Sequence, residues 1–97
     1  MYHYLLLKLE PGCNVDDMYA YAKDIFGQLE RQVSEIISAQ VLANCIERSS
    51  NMDLMIRMEF KEAAALNIYL DHELHKAFSK HMNAFIVSRV TFDYEMG

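Results

Sequence analysis

The sequence contains no tryptophan, one proline and only two cysteines, Cys13 and Cys45. The cysteines form neither a C-x-x-C pair nor a zinc-like spacing, which points to two reduced thiols. No basic segment leads into a long apolar run near the N-terminus, so the chain reads as cytoplasmic. No stretch approaches the roughly 20 apolar residues that a membrane-spanning helix needs, which excludes a membrane protein of that kind. Basic residues are in the minority, nine against fourteen acids, and the net charge of −5 is spread along the chain. No basic stripe is available to neutralise a phosphate backbone, so nucleic acid is excluded as a partner.

What is present is apolar: 53% of the 97 residues are hydrophobic, seven of them methionines, which commonly fill irregular core space. That composition excludes a disordered chain, and the length predicts a single domain over residues 1–97. Tyr2 to Leu9, YHYLLLKL, reads as a strand that stops at the Pro11-Gly12 turn signal. Alternation puts His3, Leu5, Leu7 and Leu9 on one face and Tyr2, Tyr4 and Leu6 on the other.

Asn14 is a candidate helix N-cap, with Asp16 and Asp17 favourably placed against the helix dipole. Met18, Ala22, Ile25, Leu29, Val33 and Ile36 then recur at helical spacing. Gly27 costs this helix about 1 kcal/mol relative to alanine, which the long apolar face absorbs. Ile37 to Ile46 and Met52 to Phe60 read as strands joined by the polar turn Glu47–Asn51. Lys61 to Leu70 favours helix, Leu74 to Phe85 continues it, and Val87 to Glu95 closes the chain as a strand.

The order β-α-β-β-α-β, with the second helix broken in two, predicts an α+β, ferredoxin-like sandwich with both helices on one face of the sheet. Tyr2, Tyr4 and Leu6 are then left on an uncovered apolar face, for which pairing of two sheets is the natural remedy.

Several of these segments resemble the stress-responsive dimeric A/B barrel (Dabb) family. They are the first strand His3-x-Leu5-x-Leu7-Lys8-Leu9, the spacing Tyr69-x-x-His72-x-x-His75-x-x-Phe78, and the ending Phe92-Asp93-Tyr94. Glu73 stands where the family usually has proline, a residue that would fix one dihedral and remove a donor. The resemblance implies a protomer whose sheet joins its partner's in a dimeric α/β barrel, with a small-molecule pocket between sheet and helices. It further implies, for members acting as polyketide cyclases, a cofactor-free aldol condensation. By position His75 would be the base, Tyr69 the assisting hydroxyl and His3 a pocket histidine, and we expect His72, Leu5 and Phe78 to line the ligand space.

The chemistry suits those roles, since an aldol closure needs a base for a proton beside a carbonyl and a donor for the enolate oxygen. Two alternatives stand beside it. The first is a small-molecule-binding domain without turnover, and the second is a structural protein whose histidines are buried neutral rings bonded to backbone freed by the helix break. His72, flanked by Asp71 and Glu73, also fits an exposed turn, and His81 fits the surface. A metal site is disfavoured, because His72-x-x-His75 lacks the four-residue spacing of H-E-x-x-H and has no evident third ligand beyond His3. The aromatic strands lack the basic, glycine-containing motif of RNA-recognition domains. From the two apolar faces of the first strand we expect a two-fold dimer. Light scattering at micromolar concentration should give twice the mass of one chain, and a single-chain mass would refute the covered second face.

Overall fold

The computed structural model describes residues 1–96. Four strands and three helices follow in the order β1 (Tyr2–Leu9), α1 (Val15–Gln32), β2 (Ile36–Ala43), β3 (Leu54–Phe60), α2 (Ala65–Asp71), α3 (Glu73–Met82) and β4 (Ile86–Tyr94). The strands form one antiparallel sheet in the order β2-β3-β1-β4. This is the ferredoxin-like sandwich expected from the element order. No helix among the described residues is long and apolar enough to cross a membrane.

Alternation in β1 decides which side is core. His3, Leu5, Leu7 and Leu9 are buried, whereas Tyr2, Tyr4, Leu6 and Lys8 are partly open. The helix-facing side of β3 continues the same layer with Leu54, Ile56, Met58 and Phe60. From α1 come Ala22, Ile25, Phe26 and Leu29, and from α3 come Phe78 and Met82. Gly12, with φ of +92°, supplies the left-handed turn between β1 and α1 that a side chain would strain. The Asn14 side chain then caps α1 by accepting from the Asp17 backbone N–H at 3.0 Å.

Several boundaries differ from the sequence expectation, each for a local reason. Helix α1 ends at Gln32, so Val33 and Ile36 reach the core from the helix cap and from β2. Strand β2 ends at Ala43, because Asn44 folds over to donate to the Ile46 carbonyl at 2.6 Å and accepts from Asn51 at 3.1 Å. Ile46 thus belongs to an exposed loop. Lys61 to Ala64 are turns and not helix: the Lys61 N–H is still bound to the Glu35 carbonyl at 3.0 Å beside the sheet. At its far end α3 stops at Met82, since Phe85 is held by Glu10, whose N–H donates to its carbonyl at 2.8 Å.

The helix break lies where expected and needs no proline. His72 is extended, with φ −68° and ψ 141°, and its Nδ1 accepts from the Leu74 N–H at 3.0 Å, so the histidine is the N-cap of α3.

The opposite side of the sheet is uncovered. Tyr4 pairs with Phe92, Leu6 with Val90 and Tyr2 with Tyr94, and Phe92 is 63% exposed. The Arg57 Nε donates to the Tyr4 hydroxyl at 3.2 Å and its guanidinium lies 5.7 Å from the Tyr2 ring centre. Truncation of fully buried Leu7 to alanine should cost about 2–5 kcal/mol in urea unfolding, whereas Ile68→Ala on the open side of α2 should stay within about 0.5 kcal/mol.

Candidate functional site

Three rings from three elements meet at one place. His3 comes from the helix-facing side of β1, Tyr69 from the end of α2, and His75 from the first turn of α3. The His3 and Tyr69 ring centres are 5.9 Å apart, and Tyr69 meets His75 edge-on at 4.6 Å. Phe26 and Phe60 close in on Tyr69 at 6.0 and 5.8 Å. Tyr69 is therefore the hub, 1% exposed; His3 is 6% exposed, and His75 is half-buried and the accessible member.

The helix break assembles this cluster. Ending α2 at Asp71 frees late carbonyls, and the Leu70 carbonyl accepts from His75 Nδ1 at 3.0 Å. A carbonyl cannot donate, so the proton of neutral His75 sits on Nδ1 and its Nε2 keeps the lone pair. That Nε2 lies 3.5 Å from the Ser79 hydroxyl, a long contact one helical turn away. On the strand side His3 Nδ1 is bonded to the Asp93 carboxylate, its direct partner across the β1–β4 ladder.

Burial sets the protonation states. It pushes the half-buried His75 below the usual histidine range, and the charges of His3 and Arg89 act in the same direction, against the Leu70 hydrogen bond. His75 is accordingly a neutral base at pH 7. Burial pushes the Tyr69 hydroxyl well above the usual phenol range, so it stays protonated. Among the described residues nothing hydrogen-bonds that hydroxyl, yet no fully buried polar side-chain atom is left unsatisfied. The small open part of Tyr69 therefore includes its hydroxyl.

The other residues expected at the site have roles in the packing and capping around it. Leu5 and Phe78 lie in the core, Phe78 against Phe26 and Tyr21 at 5.1 and 5.9 Å. The His72 ring is engaged in the helix cap. His81 is exposed and lies on the Tyr21 ring at 4.2 Å. No group of three His, Cys, Asp or Glu side chains among the described residues is placed to hold a metal ion. Asp93 and Ser79 were missed as site residues. Ser79 was detectable in principle as the i+4 neighbour of His75, whereas Asp93 required the strand register.

Five surface hollows have volumes of about 260–480 Å³, and none has His3, Tyr69 or His75 in its wall. One of about 410 Å³, between Ala63, Leu66 and the end of β4, reaches the cluster's edge through Asp93.

The sequence model of the stress-responsive A/B barrel domain matches residues 1–96. The chain belongs to the Dabb family. No curated protein matches it. Among solved structures, it is similar to a dimeric ferredoxin-like protein of unknown function from Bacteroides fragilis. That match has a TM-score of 0.84 and 23% identity, over 98% of this chain and 94% of that one. A dimeric ferredoxin-like protein of unknown function from Jannaschia sp. CCS1 gives 0.82 and 21%, over 98% and 97%. An antibiotic biosynthesis monooxygenase gives 0.71 and 15%, over 99% and 100%. At these identities the likeness is one of fold, and a shared fold does not carry a shared chemistry.

The pKa direction of His75 has a defined sign. Because the folded state resists protonating this ring, the unfolded chain binds the extra proton more readily below the ordinary histidine pKa. The stabilising contribution is present above that pKa, near 6.5, and is lost as pH falls through it. His75 should titrate below 6.5 by ring-proton NMR, and His75→Gln should remove this part of the loss of stability on acidification.

Proposed function

We propose that this Dabb protein is a homodimer, closed into an α/β barrel through its open sheet faces. In this reading it binds a small, partly apolar molecule between β4 and the α2–α3 bend. The observation that carries it is the meeting of His75, whose Nε2 has only the long 3.5 Å contact to the Ser79 hydroxyl, with the protonated Tyr69 ring in one apolar cluster. The dimeric state of the solved relatives and the exposed row Phe92, Val90 and Leu42 support the barrel.

A second reading is favoured by the same pair of groups: cofactor-free cyclisation of a polyketide-like substrate. His75 Nε2 takes a proton from the carbon between two carbonyls, and the Tyr69 hydroxyl donates to the enolate oxygen. The enolate carbon bonds to a distant carbonyl carbon of the same chain, and the alkoxide formed there takes the proton back from His75. Loss of water completes the condensation. His3, held by Asp93, keeps the Tyr69 ring in place.

Binding and turnover separate experimentally. With a linear triketone as probe, binding by the wild type tests the first reading, and its absence would overturn it; for the second, His75→Ala should lower the rate of cyclisation by about 100-fold or more and Tyr69→Phe by a smaller factor. Equal rates in all three proteins would eliminate the catalytic reading and leave the binding one.

A further inference from the structure

Two rows of polar side chains run from the ring cluster toward the other end of the sheet. In the β1–β4 ladder His3 pairs with Asp93, Leu5 with Thr91 and Leu7 with Arg89. Because His3, Leu5 and Leu7 are buried beneath the helices, Asp93, Thr91 and Arg89 also stand on the helix side of the sheet. They are nevertheless exposed, since α1 packs against β2 at the opposite edge and β4 overhangs. On the helix side, His75 and Ser79 of α3 and its C-cap residue Asn83 follow at steps of four.

The rows are joined at both ends. Arg89 donates from Nη2 to the Asn83 carboxamide oxygen at 2.9 Å. At the other end His75 meets Tyr69, Tyr69 meets His3, and His3 is bonded to Asp93. Their lengths match: eight helical residues rise about 12 Å and four strand residues about 13 Å. The two rows thus flank the gap between α3 and β4, with the rings at one end and a guanidinium at the other.

Among the described residues that guanidinium has no counter-charge. Among the described residues no carboxylate lies within ion-pair distance of Arg89, and its one partner is the neutral amide of Asn83. Lys8 is the one lysine or arginine among the described residues with a carboxylate partner, and Arg89 is distinguished by the Asn83 bond that holds it at the end of the polar row. Arginine is moreover the side chain that fits a carboxylate with two parallel hydrogen bonds.

Building on the small-molecule reading above, we propose that Arg89 recognises a carboxylate on the ligand. The ligand's partly apolar remainder then lies along Thr91 and Ser79 toward His75 and Tyr69. The ligand class is thus a carboxylic acid with an acyl or aromatic body about 12 Å long.

Calorimetric titration of the intact protein with octanoate and with its neutral isostere octanamide tests this. Wild type should prefer octanoate by about tenfold; Arg89→Gln should abolish the preference without changing octanamide affinity, and Arg89→Lys should keep much of it. Thr91→Glu, which places a carboxylate beside Arg89, should weaken octanoate by a similar factor and covers the case in which Arg89→Gln does not fold. Undiminished octanoate binding in Arg89→Gln or Thr91→Glu would overturn the role of Arg89 and leave the small-molecule reading intact. Failure of wild type to bind either probe would overturn both.

Discussion

Between Asp71 and Glu73 the backbone leaves the helical region for a single residue, and the His72 ring turns back to bind the Leu74 N–H. Without that bend, α2 and α3 would form one straight helix, and Tyr69 and His75, six residues apart, would point away from each other. With it, the first turn of α3 folds back onto the last turn of α2, and the Leu70 carbonyl becomes available to His75. The same hydrogen bond chooses the tautomer of His75. Local helix capping thus sets both the position and the proton inventory of the candidate site, without the proline usual in the family.

The sheet makes two further demands on one strand. β1 lies at the centre of the helix-facing layer and carries His3 to the ring cluster, while its other face presents Tyr2, Tyr4 and Leu6 beside Phe92 and Val90. One side is satisfied within the chain and the other is left open. The overhang of β4 follows from the same layout, since the three helices do not cover the four strands evenly. It leaves the polar row of Asp93, Thr91 and Arg89 open beside α3.

The element order, the sheet faces and the break near His72 were legible because they rest on periodicity, capping residues and turn signals. Boundaries were less so. Val33 and Ile36 extended the apolar stripe of α1 although the chain had already left the helix, because burial from a cap or a strand leaves the same mark in sequence as burial from a helix. Lys61 to Ala64 look helical by propensity, but the Lys61–Glu35 backbone bond keeps them at the sheet. Within the site, the spacing of Tyr69, His72 and His75 drew attention to the right bend. It could not tell which histidine would cap a helix and which would face Tyr69.

The sequence by itself determined the two-faced first strand, the β-α-β-β-α-β order and the family, because each is carried by residues near one another in the chain. Only the tertiary structure decided that His3 meets Asp93, ninety residues away, that Tyr69 becomes the hub of the rings, and that Arg89 lies beside Asn83. These contacts depend on strand register and on where α3 lies over the sheet. A shift of one residue in the β1–β4 pairing would turn Asp93 and Arg89 to the opposite face.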